Sequence, residues 1–317
     1  MTIKQNLNTI ILAAGKGSRM KSSLIKVLHQ VAGKPIISHV IESVEALSSS
    51  LFLVVGHQST ELQKTLTLPA ESYIEQKEQL GTGHATQQVI PQLNPNDNSN
   101  TLILAGDCPL IEQTTIQKLI SFHSQTNSAA TILSANIKDP TGYGRILRTN
   151  TNDVIAIKEH KDCSPQEQQI TEINSGIYIF KTQLLIKHIF ELSSNNNQAE
   201  YYLTDIIQIL KNNNHPINAL VTQNAYETMG INTRQELAAA NKAIYNKINQ
   251  FHMNNGITIV DPTTTYIDKD VIIGQDTIIQ PFTILSGNTK IGAHCTINSF
   301  SHLNNITLSD NKTYSPN

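Results

Sequence analysis

Apolar residues follow two rhythms along this chain, and the change falls at Gly256. Before it, short apolar runs alternate with stretches of helical spacing. Thr9-Ile10-Ile11-Leu12 is short enough to be one buried strand, and Leu51–Val55 and Thr101-Leu102-Ile103-Leu104-Ala105 read the same way. Between Pro35 and Leu47, Ile36, Ile37, Val40, Ile41 and Val44 recur at the helical period. Strand, helix, strand in that order predicts a doubly wound α/β sheet, which binds its ligands at the carboxyl ends of the strands. A further helix is predicted from Thr233 to Asn255, with Leu237, Ile244, Ile248 and Phe251 on one face. Thr233-Arg234-Gln235-Glu236 has the form of a capping box, and Gly256 closes the helix.

After Gly256, Ile267, Ile273, Ile279, Leu285, Ile291, Ile297 and Leu303 recur every six residues, with Gly274 and Gly292 directly following two of them. Strict hexad spacing marks a parallel β-helix that stacks its aliphatic residues inside, where an antiparallel sandwich would show plain alternation. Three hexads make a coil, so these predict a little over two coils before the polar stretch Ser309–Asn317. The expected organisation is an α/β domain over 1–232, a connecting helix over 233–256 and a β-helix segment over 257–317.

Composition sets bounds on this picture. A chain of 317 residues can bury a full core in two domains. Its formal net charge of −2 gives no global attraction for nucleic acid or an acidic membrane, so phosphate recognition has to come from local clusters. Cys108, Cys163 and Cys295 have no paired spacing and imply neither a disulfide framework nor a zinc site. With no leader-like pattern and no apolar run of spanning length, the expected setting is a reducing cytoplasm.

The candidate chemistry starts where the first strand ends. Ala13-Ala14-Gly15-Lys16-Gly17-Ser18-Arg19 is small and Gly-rich, so its backbone can approach a ligand and its N–H groups can cradle an anion. Lys16, Arg19 and Lys26 add positive charge beside it. The Walker spacing is absent, and Met20 stands where the dinucleotide fingerprint needs its third Gly. An ordinary strand-to-helix loop fits the bare turn as well. Gln76 and Gln79 stand ahead of Gly81-Thr82-Gly83-His84 and offer the donor and acceptor pair that a base edge requires, although a solvated loop would read alike. Asp107 follows Gly106 at a strand's carboxyl end, suited to a hard divalent cation or to capping the turn at Pro109.

These stretches together resemble a known family. Leu12-x-x-Gly15-x-Gly17-Ser18-Arg19-Met20, Gln79-Leu80-Gly81-Thr82-Gly83-His84-Ala85, Gly106-Asp107-x-Pro109-Leu110, Thr141-Gly142-Tyr143-Gly144-Arg145, Glu159-His160-Lys161-Asp162, Glu172-Ile173-Asn174-Ser175-Gly176 and Glu200–Asp205 are similar to segments of the bacterial bifunctional N-acetylglucosamine-1-phosphate uridylyltransferases/glucosamine-1-phosphate acetyltransferases. Ser18, Ile25 and Ala105 depart from that family's Thr, Pro and Tyr. The resemblance implies a Rossmann-like nucleotidyltransferase domain followed by a left-handed parallel β-helix that trimerises. It implies transfer of UMP from UTP to N-acetylglucosamine 1-phosphate with Mg²⁺, for cell-wall precursor synthesis.

By the same resemblance, Leu12, Ala13, Gly15 and Lys26 hold the nucleotide, and Gln76, Gly81 and Thr82 contact the base. Gly144, Glu159 and Asn174 grip the sugar, Asp107 and Asn232 hold the metal, and Lys26 and Arg19 stabilise the phosphates in catalysis. The family's acetyltransferase sites lie in later coils than this sequence reaches, so that second activity is expected to be absent. A transferase for another sugar phosphate, or a non-catalytic remnant serving as a binding or assembly module, are the alternatives.

Overall fold

The computed structural model describes residues 6–56 and 59–316. The chain divides into two compact units, one running to Val27 and again from Ile37 to Gly230, the other made of Leu28–Ile36 and the chain from Ile231. In chain order the strands are β1 (Leu7–Leu12), the short hairpin strands β2 (Gln30–Val31) and β3 (Lys34–Pro35), β4 (Ser50–Val55), β5 (Tyr73–Glu75), β6 (Asn100–Ala105), β7 (Ala130–Asn136), β8 (Arg145–Arg148), β9 (Val154–Lys158), β10 (Glu172–Lys181) and β11 (Ile217–Val221). The helices are α1 (Ile36–Val44), α2 (Ser59–Thr65), α3 (Thr82–Gln87), α4 (Gln113–Gln125), α5 (Thr182–His188), α6 (Asp205–Asn212) and α7 (Arg234–Asn254).

The sheet of the first unit runs in the order β11-β7-β10-β6-β1-β4-β5, with β8 and β9 attached to the start of β10. β1 lies parallel to both β4 and β6 and is covered on both faces, which explains why Ile10 and Ile11 form an unbroken apolar run. β10 instead runs antiparallel to β6 and β7. Beneath it, Ile206, Ile207 and Leu210 of α6 join Phe180, Ile132 and Leu185 in the core. Burial of these aliphatic groups, not any single bond, holds the sheet to its helices.

In the second unit, α7 opens with the expected capping box. Thr233 Oγ1 accepts from Glu236 N at 3.2 Å, and Glu236 Oε2 accepts from Thr233 N at 2.8 Å. Its inner face is not quite the one expected: Ala240, Ile244, Asn249 and His252 are buried, whereas Phe251 is 63 % exposed. Asn249 takes an inward place because its Nδ2 donates to Pro262 O at 3.0 Å and Thr265 O at 2.9 Å. Those bonds satisfy turn carbonyls that an aromatic ring would leave unpaired.

The β-helix consists of three parallel sheets. One holds Thr258–Ile259, Ile278–Ile279, Thr296–Ile297 and Thr313–Tyr314; the others hold three strands each. The described residues thus form a little over three coils, one more than the hexads predict. The step from Ile259 to Ile267 is longer than six residues and that from Leu303 to Leu308 is shorter, so strict spacing hides the outer strands. Tyr314 lies in such a strand, within the stretch read as a polar tail. Ile267, Ile279, Leu285, Ile297 and Leu303 have no exposed surface and fill the interior. A Cβ on Gly274 would collide with the backbone of Ala293, and one on Gly292 with Asp310, which is why glycine follows those two core residues. Outside, Phe282 and Phe300 stack at 5.1 Å and 2° while remaining 54 % and 71 % exposed.

The hairpin of β2 and β3 is held within this second unit. Ala32 N donates to Asn241 Oδ1 at 2.9 Å, Lys269 N to Ala32 O at 3.3 Å, and Lys34 pairs with Asp270 at 2.7 Å. Among the described residues no helix is long and apolar enough to cross a membrane.

Candidate active site

The turn after β1 is fixed from both sides. Ala13 N donates to Val54 O at 2.9 Å and Gly106 N donates to Leu12 O at 2.9 Å, so the turn leaves the sheet between the ends of β4 and β6. Leu12 and Ala13 therefore spend these groups inside the protein. Among the described residues, the N–H groups of Ala14, Gly15, Lys16, Gly17 and Ser18 donate to no protein acceptor, the condition for an anion cradle. A Cβ at Gly15 would meet nothing within 4 Å, so this glycine faces open space. The space is a cleft of about 290 Å³ lined by Ala13, Ala14, Gly15, Lys16, Ile25, Gly56, Leu62 and Gln79. Ile25 is buried and supplies an apolar wall. Gly17 adopts φ +59°, and a Cβ there would lie 2.7 Å from Lys26 Cβ, so glycine lets the lysine stem pass.

Lys26 Nζ forms an ion pair with Asp107 Oδ2, their side chains 13 % and 17 % exposed. The site thus joins two residues that the sequence assigns to different ligands. Gly106 lets Asp107 emerge close to the sheet, because a Cβ there would press on Ile37 Cδ1 at 2.8 Å. The backbone of Gly230 packs on the carboxylate, its Cβ position 3.2 Å from Asp107 Oδ1. The neighbouring Cys108 thiol is pushed well up by burial and then by the Asp107 charge, which keeps it protonated and inert. Arg19 stands exposed in the short 3₁₀ turn Ser18–Met20. Asn232 belongs to the second unit, where its N–H donates to Glu236 Oε2 at 2.6 Å.

The Gln76 side chain is only 2 % exposed. Its Nε2 donates to Gly81 O and contacts His84 Nδ1, both at 3.1 Å. His84, to which the sequence gives no role, therefore holds the candidate base-reading amide. Gly81 has φ +108°, and its missing Cβ allows Tyr201 O to come close. Tyr201 N donates to Leu80 O at 2.8 Å, Gly83 N to Tyr201 O at 2.7 Å, and Leu203 N to Thr82 Oγ1 at 3.1 Å. The Glu200–Asp205 segment is thereby strapped to the Gly81–Thr82 turn.

The three expected sugar residues meet. From the Cβ position of Gly144, Asn174 Cβ and Glu159 Oε1 are each 3.5 Å away, and Asn174 N donates to Gly144 O at 2.9 Å. Glu159 accepts from Thr204 Oγ1 at 3.1 Å. Burial raises its carboxyl above the ordinary range, the Thr204 bond opposes this, and Asp205, Asp162 and Glu200 add to it by repulsion. β10 carries a bulge between Asn174 and Ile177, with Gly176 at φ +77°. Thr204 and Tyr178 both take part in this pocket without having been singled out from sequence. Thr204 lies in a family-like segment, but Tyr178 reads simply as a core strand residue. Arg145, 1 % exposed, braces the surrounding loops by donating to Tyr143 O and to Gln168 O at 3.3 Å.

Register gathers these pieces at one edge. Because β10 is antiparallel, its beginning, with Asn174 opposite Ser134, lies beside the C-terminal ends of β6 and β7. That is the edge from which β1 releases the glycine turn and β6 releases Asp107. An α/β sheet built this way, with a glycine turn of neither Walker nor dinucleotide spacing at its carboxyl edge, is a nucleotide-binding architecture, and its fold is shared with solved nucleotidyltransferases.

Comparison places the chain more closely. Residues 9–170 match the MobA-like NTP transferase domain, and the chain belongs to that family. Residues 270–305 match the bacterial transferase hexapeptide repeats. The chain is 48 % identical over 268 residues to the bifunctional protein GlmU of Levilactobacillus brevis, covering 84 % of this chain and 58 % of that protein. It is 44 % identical over 266 residues to that of Bacillus subtilis, again over 84 % of this chain and 58 % of the relative. The chain thus spans little more than half the length of these relatives. A UDP-glucose pyrophosphorylase solved with UDP-glucose shares the fold with a TM-score of 0.62 at 15 % identity, over 77 % of this chain and 100 % of that one.

Proposed function

We propose that this chain transfers UMP from UTP to N-acetylglucosamine 1-phosphate, releasing pyrophosphate and forming UDP-N-acetylglucosamine for cell-wall precursor synthesis in the cytoplasm. The observation that carries the reading is the common edge: the phosphate turn, Asp107 and the Gly144–Glu159–Asn174 pocket all open where β1, β6 and β10 meet. The choice of base and sugar is what the motif resemblance implies, and the similarity to relatives named GlmU supports it.

A sugar phosphate oxygen attacks the α-phosphorus, a P–O bond forms, and the bond to pyrophosphate breaks. That oxygen is already ionised at neutral pH, so the protein's work is positioning and charge neutralisation. The N–H groups from Ala14 to Ser18 receive the phosphates, and Lys26 and Arg19 stabilise the charge on the departing pyrophosphate. Gly15 holds the nucleotide through backbone, Leu12 and Ala13 fix the turn that presents it rather than offering it their own Leu12 O and Ala13 N, and Gln76, Gly81 and Thr82 lie on the base. Glu159 accepts from sugar hydroxyls, and the Asn174 amide serves a hydroxyl or the acetamido group.

The oxygen donor of Asp107, at a strand end with Gly230 packed beside it, suits a hard divalent cation. Asp107 would hold Mg²⁺, which when bound supplies charge neutralisation at the phosphates; Asn232 remains the second ligand that the resemblance implies. The exposed Phe282–Phe300 stack fits burial between copies, and we read the assembly as a homotrimer formed through the β-helix. Replacing both phenylalanines by Glu should then give monomers in sedimentation; an unchanged trimer would place the interface elsewhere.

The deciding experiment is pyrophosphate release from UTP, N-acetylglucosamine 1-phosphate and Mg²⁺, with other sugar 1-phosphates and nucleotides as competitors. Release with N-acetylglucosamine 1-phosphate is expected. Silence from folded protein would favour a binding or assembly role, and faster release with another sugar phosphate would reassign the substrate.

A further inference from the structure

We infer that Tyr178 is a positioning residue for the sugar pocket, acting through the side-chain amide of Asn174; this rests on the reading above. Tyr178 lies on β10 and is 4 % exposed, its ring 5.8 Å from that of Phe180 in the core. Its hydroxyl emerges from this apolar packing beside the pocket, where Asn174 Nδ2 donates to Tyr178 Oη at 2.6 Å.

The polarity of this contact is set by the bulge. Gly176 N, which can only donate, gives its hydrogen bond to Asn174 Oδ1 at 3.1 Å. The amide oxygen must therefore turn toward Gly176, and the NH₂ group must turn toward the phenol. The bulge itself is pinned by Ser175, whose Oγ donates to Leu133 O at 2.6 Å and accepts from Ile177 N at 3.2 Å. With both ends engaged, one orientation of the amide is selected before any sugar arrives. One N–H and one oxygen lone pair remain for the ligand. Burial, and secondarily the Glu159 charge, raise the phenol far above its ordinary range, so the hydroxyl keeps its proton across any working pH.

Removing only that oxygen should free the amide without disturbing the ring. In Tyr178→Phe, Nδ2 loses a protein acceptor and competes for pocket groups in more than one orientation. The expected result is a KM for N-acetylglucosamine 1-phosphate raised about tenfold, the loss of one hydrogen bond's worth of organisation. The KM for UTP and the melting temperature should stay near wild type. In an Asn174→Ala background, Tyr178→Phe should add nothing, because the amide through which it acts is gone.

A Tyr178→Phe enzyme with unchanged sugar KM overturns the inference, as does an equal rise in both KM values or a full effect in the Asn174→Ala background. A wild-type protein that neither turns over nor binds N-acetylglucosamine 1-phosphate in calorimetry overturns the functional reading, and the inference with it. The two failures are therefore told apart by the wild-type arm.

Discussion

Lys26 and Asp107 neutralise each other across the gap between the phosphate turn and the end of β6. The pair keeps two part-buried charges satisfied. A triphosphate offers Lys26 a second anion, so the lysine can serve ligand and aspartate from one place. Asp107→Ala should abolish pyrophosphate release, and an active variant would move the metal site elsewhere. Lys26→Ala should lower kcat by about a hundredfold, the scale of one lost transition-state charge contact.

Glu159 holds a carboxylate where burial opposes ionisation. Its carboxyl titrates higher in the folded chain than in the unfolded one, so ionising it costs stability as pH rises through the folded value. Glu159→Gln should raise the melting temperature at pH 7, with the gain vanishing in acid below the unfolded carboxyl range. The same substitution should weaken sugar binding. Parallel melts at pH 4 and pH 7, with KM for the sugar phosphate, check both halves.

His123 shows the opposite sign. It is buried, with Nδ1 2.8 Å from Thr131 Oγ1 and Nε2 3.3 Å from Asn100 Oδ1. Burial, helped by Lys181, pushes it down to about 4. Neutral imidazole is favoured by the fold, so its contribution is complete above the unfolded value near 6.5 and is lost as pH falls from there toward 4. The wild-type chain should lose stability over that window, and His123→Gln should flatten the decline in a pH series of denaturant midpoints.

Gly17 tests the turn. Gly17→Ala puts a side chain at φ +59° and 2.7 Å from Lys26 Cβ. The strain should cost roughly 1–2 kcal/mol, and the lysine stem has to shift. Stability should fall modestly while kcat falls more, and a loss of stability alone would separate the turn from the placement of Lys26.

Much of this architecture is legible in the residues because each element states its own reason. The run at Ile10–Ile11 announces a strand covered on both faces, Thr233 and Glu236 announce a helix start, and the hexads announce stacked coils. What stays hidden depends on partners far along the chain. Phe251 fits the helical period, yet Asn249 is drawn inward by carbonyls at Pro262 and Thr265 that periodicity ignores. Thr204 and Tyr178 matter through Glu159 and Asn174, and neither contact has a local signature. The direction of β10, which brings Asn174 to the edge of Asp107, is a property of the whole sheet.

The hairpin of β2 and β3 carries a last consequence. Leu28–Ile36 is synthesised early but completes the unit that begins at Ile231. The side chains of Leu28, Val31 and Ala32 are buried in the finished protein, and Ala32 is anchored by Asn241 and Lys269. Those anchors leave the ribosome some two hundred residues after the segment they hold. The nascent chain carries Ala32 without these two anchors through most of its translation. Severing the gene after Gly230 would leave the second half without Leu28–Ile36, and the first half carrying that hairpin without its anchors.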